Sequence, residues 1–452
     1  LHLVNTFFSI LTIFGISKIS RELFNKRVGQ IVFLLCFLNP TFFGHMAINQ
    51  KDMIIAFSNV WATYLFIKYL KNQHINEKRK RYVIFAGFTI GLGLGVRIAF
   101  LGTLIPIIIF SILDCLLLKK ITKNNFSKKS LIFDIFKILI IAYALMILCW
   151  PDTHKNIIIL PFSLFIESFN EIIGIPLGLL NGHFYNTSET PKYYLFINLL
   201  YRLPEFIIFS YFVFIFLIIT KRKFFHSHFR FFNTKLVLFL FIIAFPNLLL
   251  FYSPYKIYDG LRLFLYLIPY ICIIPALTIY FLITNYKTYT SKILLITVFS
   301  LIAYYILIFF SLTPYQYTYL NILNGNFSKA HERFENDYWA VSLKELTNQI
   351  SNNGNMLNNE ELKLAFCGAA DDNVKPYLKK IKNFKFKQVN WLTEDYDYII
   401  MTNRVVVPSK MIEGSNINNL ENLETCFNKF KGEDIITVTR NGLILSTIRK
   451  KI

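Results

Sequence analysis

Residues 39–57 read NPTFFGHMAINQKDMIIAF and lie between two apolar runs. Asp52 is a candidate proton acceptor there, with Lys51 and His45 as candidate partners in charge or proton transfer. An ionisable group at membrane depth is costly, so its presence is a functional expectation in itself. The plainer reading is that Asp52 opens a helix and meets its positive end. That accounts for the acid but not for His45, Asn49 and Lys51 beside it. Three arginines belong to the same set: Arg97 after AGFTIGLGLGV, Arg202 in YRLPE and Arg262 in YDGLR. Singly, each could anchor a helix at an interface. Together they suit an anion, because the planar guanidinium fork matches phosphate oxygens. His183, Glu205, Tyr258 and Asp259 are the remaining candidates for contact with substrate.

The elements that must position these residues are long and apolar. Of 452 residues, 54% are hydrophobic and 17% aromatic. Ten candidate membrane spans follow: 1–18, 30–47, 53–70, 82–97, 99–118, 130–150, 198–219, 235–253, 262–284 and 293–312. About 20 apolar residues cross a bilayer core. The expected fold is mostly α, a polytopic transmembrane bundle of about ten helices with a small C-terminal α/β domain. Small residues at 87, 91, 93 and 95 predict close helix packing just before Arg97.

The net charge is +21 and unevenly placed. Residues 313–452 hold 18 Lys/Arg against 16 Asp/Glu, and residues 1–312 hold 30 against 11. The excess sits in short loops between apolar runs, which argues against nucleic acid as a partner. One alternating set of connections holds 22 Lys/Arg and the other holds 7. The basic set should be cytoplasmic. The turn at 39–52, the loop 151–197 and everything after 312 then face the far side. A chain that starts at Leu1 in an apolar run, with no basic segment before it, does not read as a signal peptide.

Two domains are expected: 1–312 in the membrane, including the loop 151–197, and 313–452 outside it. Residues 157–173 have apolar spacing for a helix lying on the membrane surface, with Glu167 and Glu171 among them. After 312, ELKLAFCG, FKQVNW and YDYIIMTN read as strands, DNVKPYLKKI as a helix, and DIITVTRNGLILSTIR as a hairpin turning at Asn441-Gly442. Asp337 is a candidate cap for the helix that follows it. No Gly-rich nucleotide motif appears. The six cysteines form no CxxC pair; buried thiols are the expectation, with a Cys367–Cys426 bond as the alternative.

An extracytoplasmic cavity with carboxylates for base chemistry and arginines for a phosphate suits a sugar carried on a polyprenyl phosphate. A carboxylate would take the proton of an acceptor hydroxyl or orient it through a divalent metal. At this point the residues resemble a family. LLCFLNPTFFGHMAINQKDMIIAFSNVWATYLFIKYL resembles the third and fourth helices of C-type membrane glycosyltransferases, in the branch of protein O-mannosyltransferases and aminoarabinose transferases. Asp52 falls at the acid of that family's pattern. AGFTIGLGLGVRIAFLGTLIP, WPDTHKN, LLNGHFYNTSETPKYYLFINLLYRLPE, YDGLRLFLYLIP and TPYQYTYLN resemble later segments, over about residues 1–345. The resemblance implies transfer from a polyprenyl-phosphate sugar to a protein, lipid or glycan acceptor outside a bacterial inner membrane. It also implies a first helix and an acidic first loop that this sequence does not show. The expectation is an N-terminal truncation that leaves Asp52 as a second acid in an inactive fragment. Rival readings are a transporter or flippase for lipid-linked sugar, an O-antigen polymerase or ligase, and a non-catalytic membrane scaffold.

Overall fold

The computed structural model describes residues 2–122, 126–170, 175–252, 255–351, 356–357, 361–368, 371–407, 420 and 422–452. The chain divides into two compact units. The first takes in Leu1–Ile173, Leu203–Leu249 and Arg262–Tyr305; the second takes in Gly174–Arg202, Leu250–Leu261 and Ile306–Ile452.

The first unit is helical. It opens with α1 (His2–Leu23), α2 (Lys26–Phe37), α3 (Pro40–His45), α4 (Gln50–Asn72), α5 (Asn76–Val96), α6 (Phe100–Leu113) and α7 (Lys128–Cys149). Among the described residues, seven helices are long and apolar enough to cross a membrane, or eight if a bent pair counts as one span. Three expected spans account for the difference from ten. Span 30–47 breaks at Asn39-Pro40, because a proline at the first helical position removes a donor and Asn39 caps a new helix through Phe42 N–H. The 12 residues of α2 then cover only about 18 Å. Span 82–97 lies in α5, whose first third is NEKRKR, too charged for the bilayer core. Span 198–219 becomes Tyr194–Arg202 and Glu205–Thr220, bent by 109° before Pro204.

Glycines set the helix spacing. A Cβ on Gly87 would lie 2.7 Å from Ile141 Cβ, and one on Gly91 would lie 2.8 Å from Leu145 Cβ, so α5 packs on α7 at backbone distance. The opposite face of α7 carries Ile132 and Phe136 at 69% and 63% exposure, as a lipid-facing surface requires. The helix Ile159–Asn170 leaves Ile159, Phe162 and Ile166 exposed beside Glu167, in line with the expected surface helix. Glu171 lies outside the described residues.

The second unit contains the α/β part. Its sheet runs in the order β4 (Phe386–Gln388), β3 (Leu362–Cys367), β5 (Tyr398–Thr402), β7 (Leu443–Lys451), β6 (Gly432–Arg440). β3 is parallel to both β4 and β5, whereas β7 is antiparallel to β5 and β6. The hairpin turns at Asn441 (φ 48°) and Gly442 (φ 78°), both in the left-handed region a two-residue turn demands. Ala365, Val389, Ile399, Met401 and Phe430 form its core. Cys367 and Cys426 are bonded, not free thiols as expected: the fold brings two cysteines 59 positions apart to a Cα separation of 5.8 Å. Asp337 accepts the N–H groups of Val341 and Ser342 just ahead of the helix Leu343–Ile350. A two-stranded hairpin, β1 (Leu177–Leu180) with β2 (His183–Asn186), belongs to the same unit.

Candidate functional site

The Asp52 cluster is built from three helix ends of the first unit. Asn49 caps α4: its Oδ1 accepts Asp52 N–H at 3.1 Å, and its Nδ2 donates to Asp52 Oδ2 at 3.0 Å. The cap is therefore Asn49, which frees the carboxylate of Asp52 to face outward from the first turn. Arg97 ends α5 with Nη1 3.4 Å from Asp52 Oδ1. Arg262 begins the helical segment Arg262–Thr284 and donates from Nε to Asp52 Oδ2 at 3.0 Å. Asp52 is buried, while the Arg97 and Arg262 side chains keep 32% and 15% of their surface.

Packing below the cluster fixes these ends. Tyr270 OH bonds Asn59 Oδ1 at 2.8 Å and Thr63 Oγ1 at 2.9 Å. Asn59 Nδ2 in turn donates to Thr103 O at 3.0 Å. This network ties the Arg262 helix to α4 and α6 in an apolar bundle, where each unmade bond would be costly. The glycine stripe of α5 and a bond from Trp150 Nε1 to Gly95 O set the position of Arg97. His45 is fully buried at the end of α3, its Nδ1 donating to Thr41 O at 2.7 Å. Lys51 is exposed on the first turn of α4. Glu205 is half-buried at the start of Glu205–Thr220.

The remaining candidates lie in the second unit. Arg202 is almost wholly buried; Nε donates to Asn198 Oδ1 and Nη2 to Glu335 O, both at 3.1 Å. A Cβ on Gly260 would stand 3.1 Å from Arg202 Nε, so YDGLR needs glycine at that point of approach. Asp259, at φ 61°, pairs with Arg404 Nη1 at 2.7 Å, and Glu335 Oε1 lies 3.5 Å from Arg404 Nε. Burial, with the Asp259 charge adding to it, raises the Glu335 carboxyl above its ordinary range against the pull of Arg404. Burial works to lower the Arg404 value, but the carboxylates of Glu335 and Asp259 outweigh it and hold the guanidinium charged. Tyr258 is half-buried beside Asp259, and His183 is exposed at the start of β2.

The structure thus brings Asp52, Arg97 and Arg262 together in one unit, and Arg202 with Asp259 in the other. Sequence reading missed Arg404 and Glu335. Their only signal was a charged side chain two positions after the strand YIIMT and another inside HERFENDYW. Among the described residues, no three His, Cys, Asp or Glu side chains gather closely enough to hold a metal ion.

Long apolar helices in a polytopic bundle define an integral-membrane protein, with a buried carboxylate between two arginines at helix ends of its first unit. Residues 1–150, the segment that holds Asp52 and Arg97, match the model of the dolichyl-phosphate-mannose-protein mannosyltransferase family. No curated protein sequence matches the chain. Among solved structures, ArnT from Cupriavidus metallidurans in the apo state is similar over 99% of this chain and 83% of that one, with 11% identity and a TM-score of 0.45. The same protein bound to undecaprenyl phosphate gives 98%, 83%, 11% and 0.44. The Archaeoglobus fulgidus oligosaccharyltransferase in the apo form gives 89%, 58%, 12% and 0.39. The reading of the site rests on the residues themselves.

Proposed function

We propose that the protein moves a sugar from a polyprenyl-phosphate donor to an acceptor hydroxyl, on the extracytoplasmic side of a bacterial inner membrane. The observation that carries this is the Asp52 carboxylate set between Arg97 and Arg262, in a segment that matches a mannosyltransferase family. The Asp52 carboxylate holds the Arg97 and Arg262 guanidinium groups side by side, and these meet the donor phosphate. As the anomeric C–O bond breaks, the electron pair stays on the phosphate oxygen, and the two arginines stabilise that charge. The acceptor oxygen bonds to the anomeric carbon, and its proton passes to a carboxylate. Asp52 fixes both guanidinium planes and takes or orients that proton. Lys51 adds charge at the rim; His45, tied to Thr41, holds the turn and is a positioning residue. Arg202, with Asp259, Tyr258, His183 and Glu205, is assigned to donor and acceptor contacts.

Two observations support the placement. The uneven distribution of Lys and Arg puts the Asp52 turn and the chain after 312 outside. The Cys367–Cys426 bond suits an oxidising compartment. The membrane domain then covers 1–312 and the extracytoplasmic domain 313–452. The test is transfer of radiolabel from polyprenyl-phosphate sugars by the purified protein: Asp52→Asn should abolish product, and unimpaired product from that variant would refute the reading.

A further inference from the structure

The other end of α4 carries a feature that sugar transfer does not use. A cavity of about 670 Å³ is lined by Lys71, His74, Lys119, Lys120, Arg230 and Lys235, all in the first unit. Lys71 lies 19 positions along the helix from Asp52, about 28 Å at 1.5 Å per residue. Only Lys71 of these has a carboxylate partner among the described residues, Glu22 at 3.0 Å. Asp114 is close to the loop but is committed elsewhere. Its buried carboxylate accepts the N–H groups of Lys120 at 2.9 Å, Ile121 at 3.1 Å and Thr122 at 2.8 Å. It thereby fixes the loop that presents Lys119 and Lys120 without neutralising their side chains. Lys120 Nζ and the Arg230 guanidinium lie 5.1 and 4.6 Å from the ring centre of Phe231. Lys235 Nζ donates to Leu23 O.

Gathering this much like charge opposes folding unless something offsets it. The backbone is also strained there: Lys119 (φ 48°) and Phe231 (φ 55°) both hold left-handed conformations without being glycine. Strain and repulsion meet at a concave site whose lysines and arginine offer several N–H donors and whose threonines, Thr122 and Thr234, offer hydroxyls.

We infer that this cavity binds a phosphate-bearing anion at the end of the bundle opposite Asp52. Such an anion has two sources, the headgroup of an acidic phospholipid and a free diphosphate. Basic pockets between membrane helices take headgroups in this way.

The test uses the purified full chain in nanodiscs, with thermal melting as readout. One arm replaces phosphatidylcholine stepwise by phosphatidylglycerol; the other adds inorganic diphosphate in phosphatidylcholine alone. A rise confined to the first arm assigns a lipid headgroup, and a rise in the second assigns a free anion. In either case the half-point should move about tenfold or more in Lys120→Ala/Arg230→Ala, and in the same direction in Lys119→Glu, at an exposed position. Lys78→Ala/Lys80→Ala, exposed on the first turn of α5, should leave it in place. No rise in either arm, or equal half-points in wild type and the cavity variants, overturns the inference.

Discussion

Arg262 reaches Asp52 across 210 positions of sequence, with Nε donating to the carboxylate at 3.0 Å. Arg97 meets the other oxygen at 3.4 Å. Three helix ends are thereby joined at one carboxylate. Asn for Asp52 removes the carboxylate that both arginines meet. The Asp52→Asn protein should lose about 1–3 kcal/mol in thermal unfolding in detergent, less than the 3–5 kcal/mol of a fully buried pair because Arg97 remains a third exposed. A melting curve that superimposes on wild type would show that the pairs contribute nothing.

The glycine stripe of α5 should be intolerant of even one methyl group. Ala at Gly91 puts Cβ 2.8 Å from Leu145 Cβ and 2.9 Å from Ala142 O, so α5 and α7 must separate. Gly91→Ala should cost about 1–3 kcal/mol, despite the better helix propensity of Ala. Gly102→Ala, whose Cβ meets nothing within 4 Å, should be neutral or stabilising, and the contrast between the two melting temperatures checks the packing.

Glu335 predicts a pH dependence. Its folded value lies above the ordinary 4.5, so the folded chain binds more protons than the unfolded one from about pH 4.5 upward to that raised value. Its contribution is therefore greatest in acid and falls as pH rises through the window. Glu335→Gln should flatten this part of the stability–pH curve, measured by thermal unfolding at a series of pH values. A slope unchanged in the variant would place the titration elsewhere.

The Cys367–Cys426 bond closes a loop of 59 positions, for which chain entropy gives about 4 kcal/mol. Reduction should therefore loosen the sheet around Ala365 and Met401. Alkylation of the denatured, unreduced protein followed by mass measurement should label four cysteines, and six after reduction. Six labels without reductant would contradict the bond.

Much of this arrangement is legible in residues alone. Hydropathy gives the long helices, and the small residues at 87 and 91 give the tight α5–α7 contact. The Asn441-Gly442 hairpin and the alternation of strand and helix after 312 are likewise local signals. What is not legible is long-range or hidden inside an apolar run. Hydropathy windows pass over Asn39-Pro40 and Leu203-Pro204, where single prolines break a span. The capping role shifts from Asp52 to Asn49 because side-chain geometry, not residue type, decides which oxygen turns back on the helix. Arg404 pairs with Asp259 across 145 positions, and no spacing rule connects them. Arg202 likewise meets Glu335 O across 133 positions, as well as Asn198 on its own helix, and no spacing rule predicts the longer contact.

The most direct measurement is donor kinetics with polyprenyl-phosphate sugar on four proteins: wild type, Asp52→Asn, Arg97→Lys and Arg262→Lys. Two arginines that hold the donor phosphate predict a KM raised about tenfold in each Lys variant, because Lys cannot reproduce the planar fork. A carboxylate that aligns both predicts a kcat for Asp52→Asn lowered by about a hundredfold or more. If all three variants turn over donor with wild-type kcat and KM, the cluster is structural and the sugar departs elsewhere.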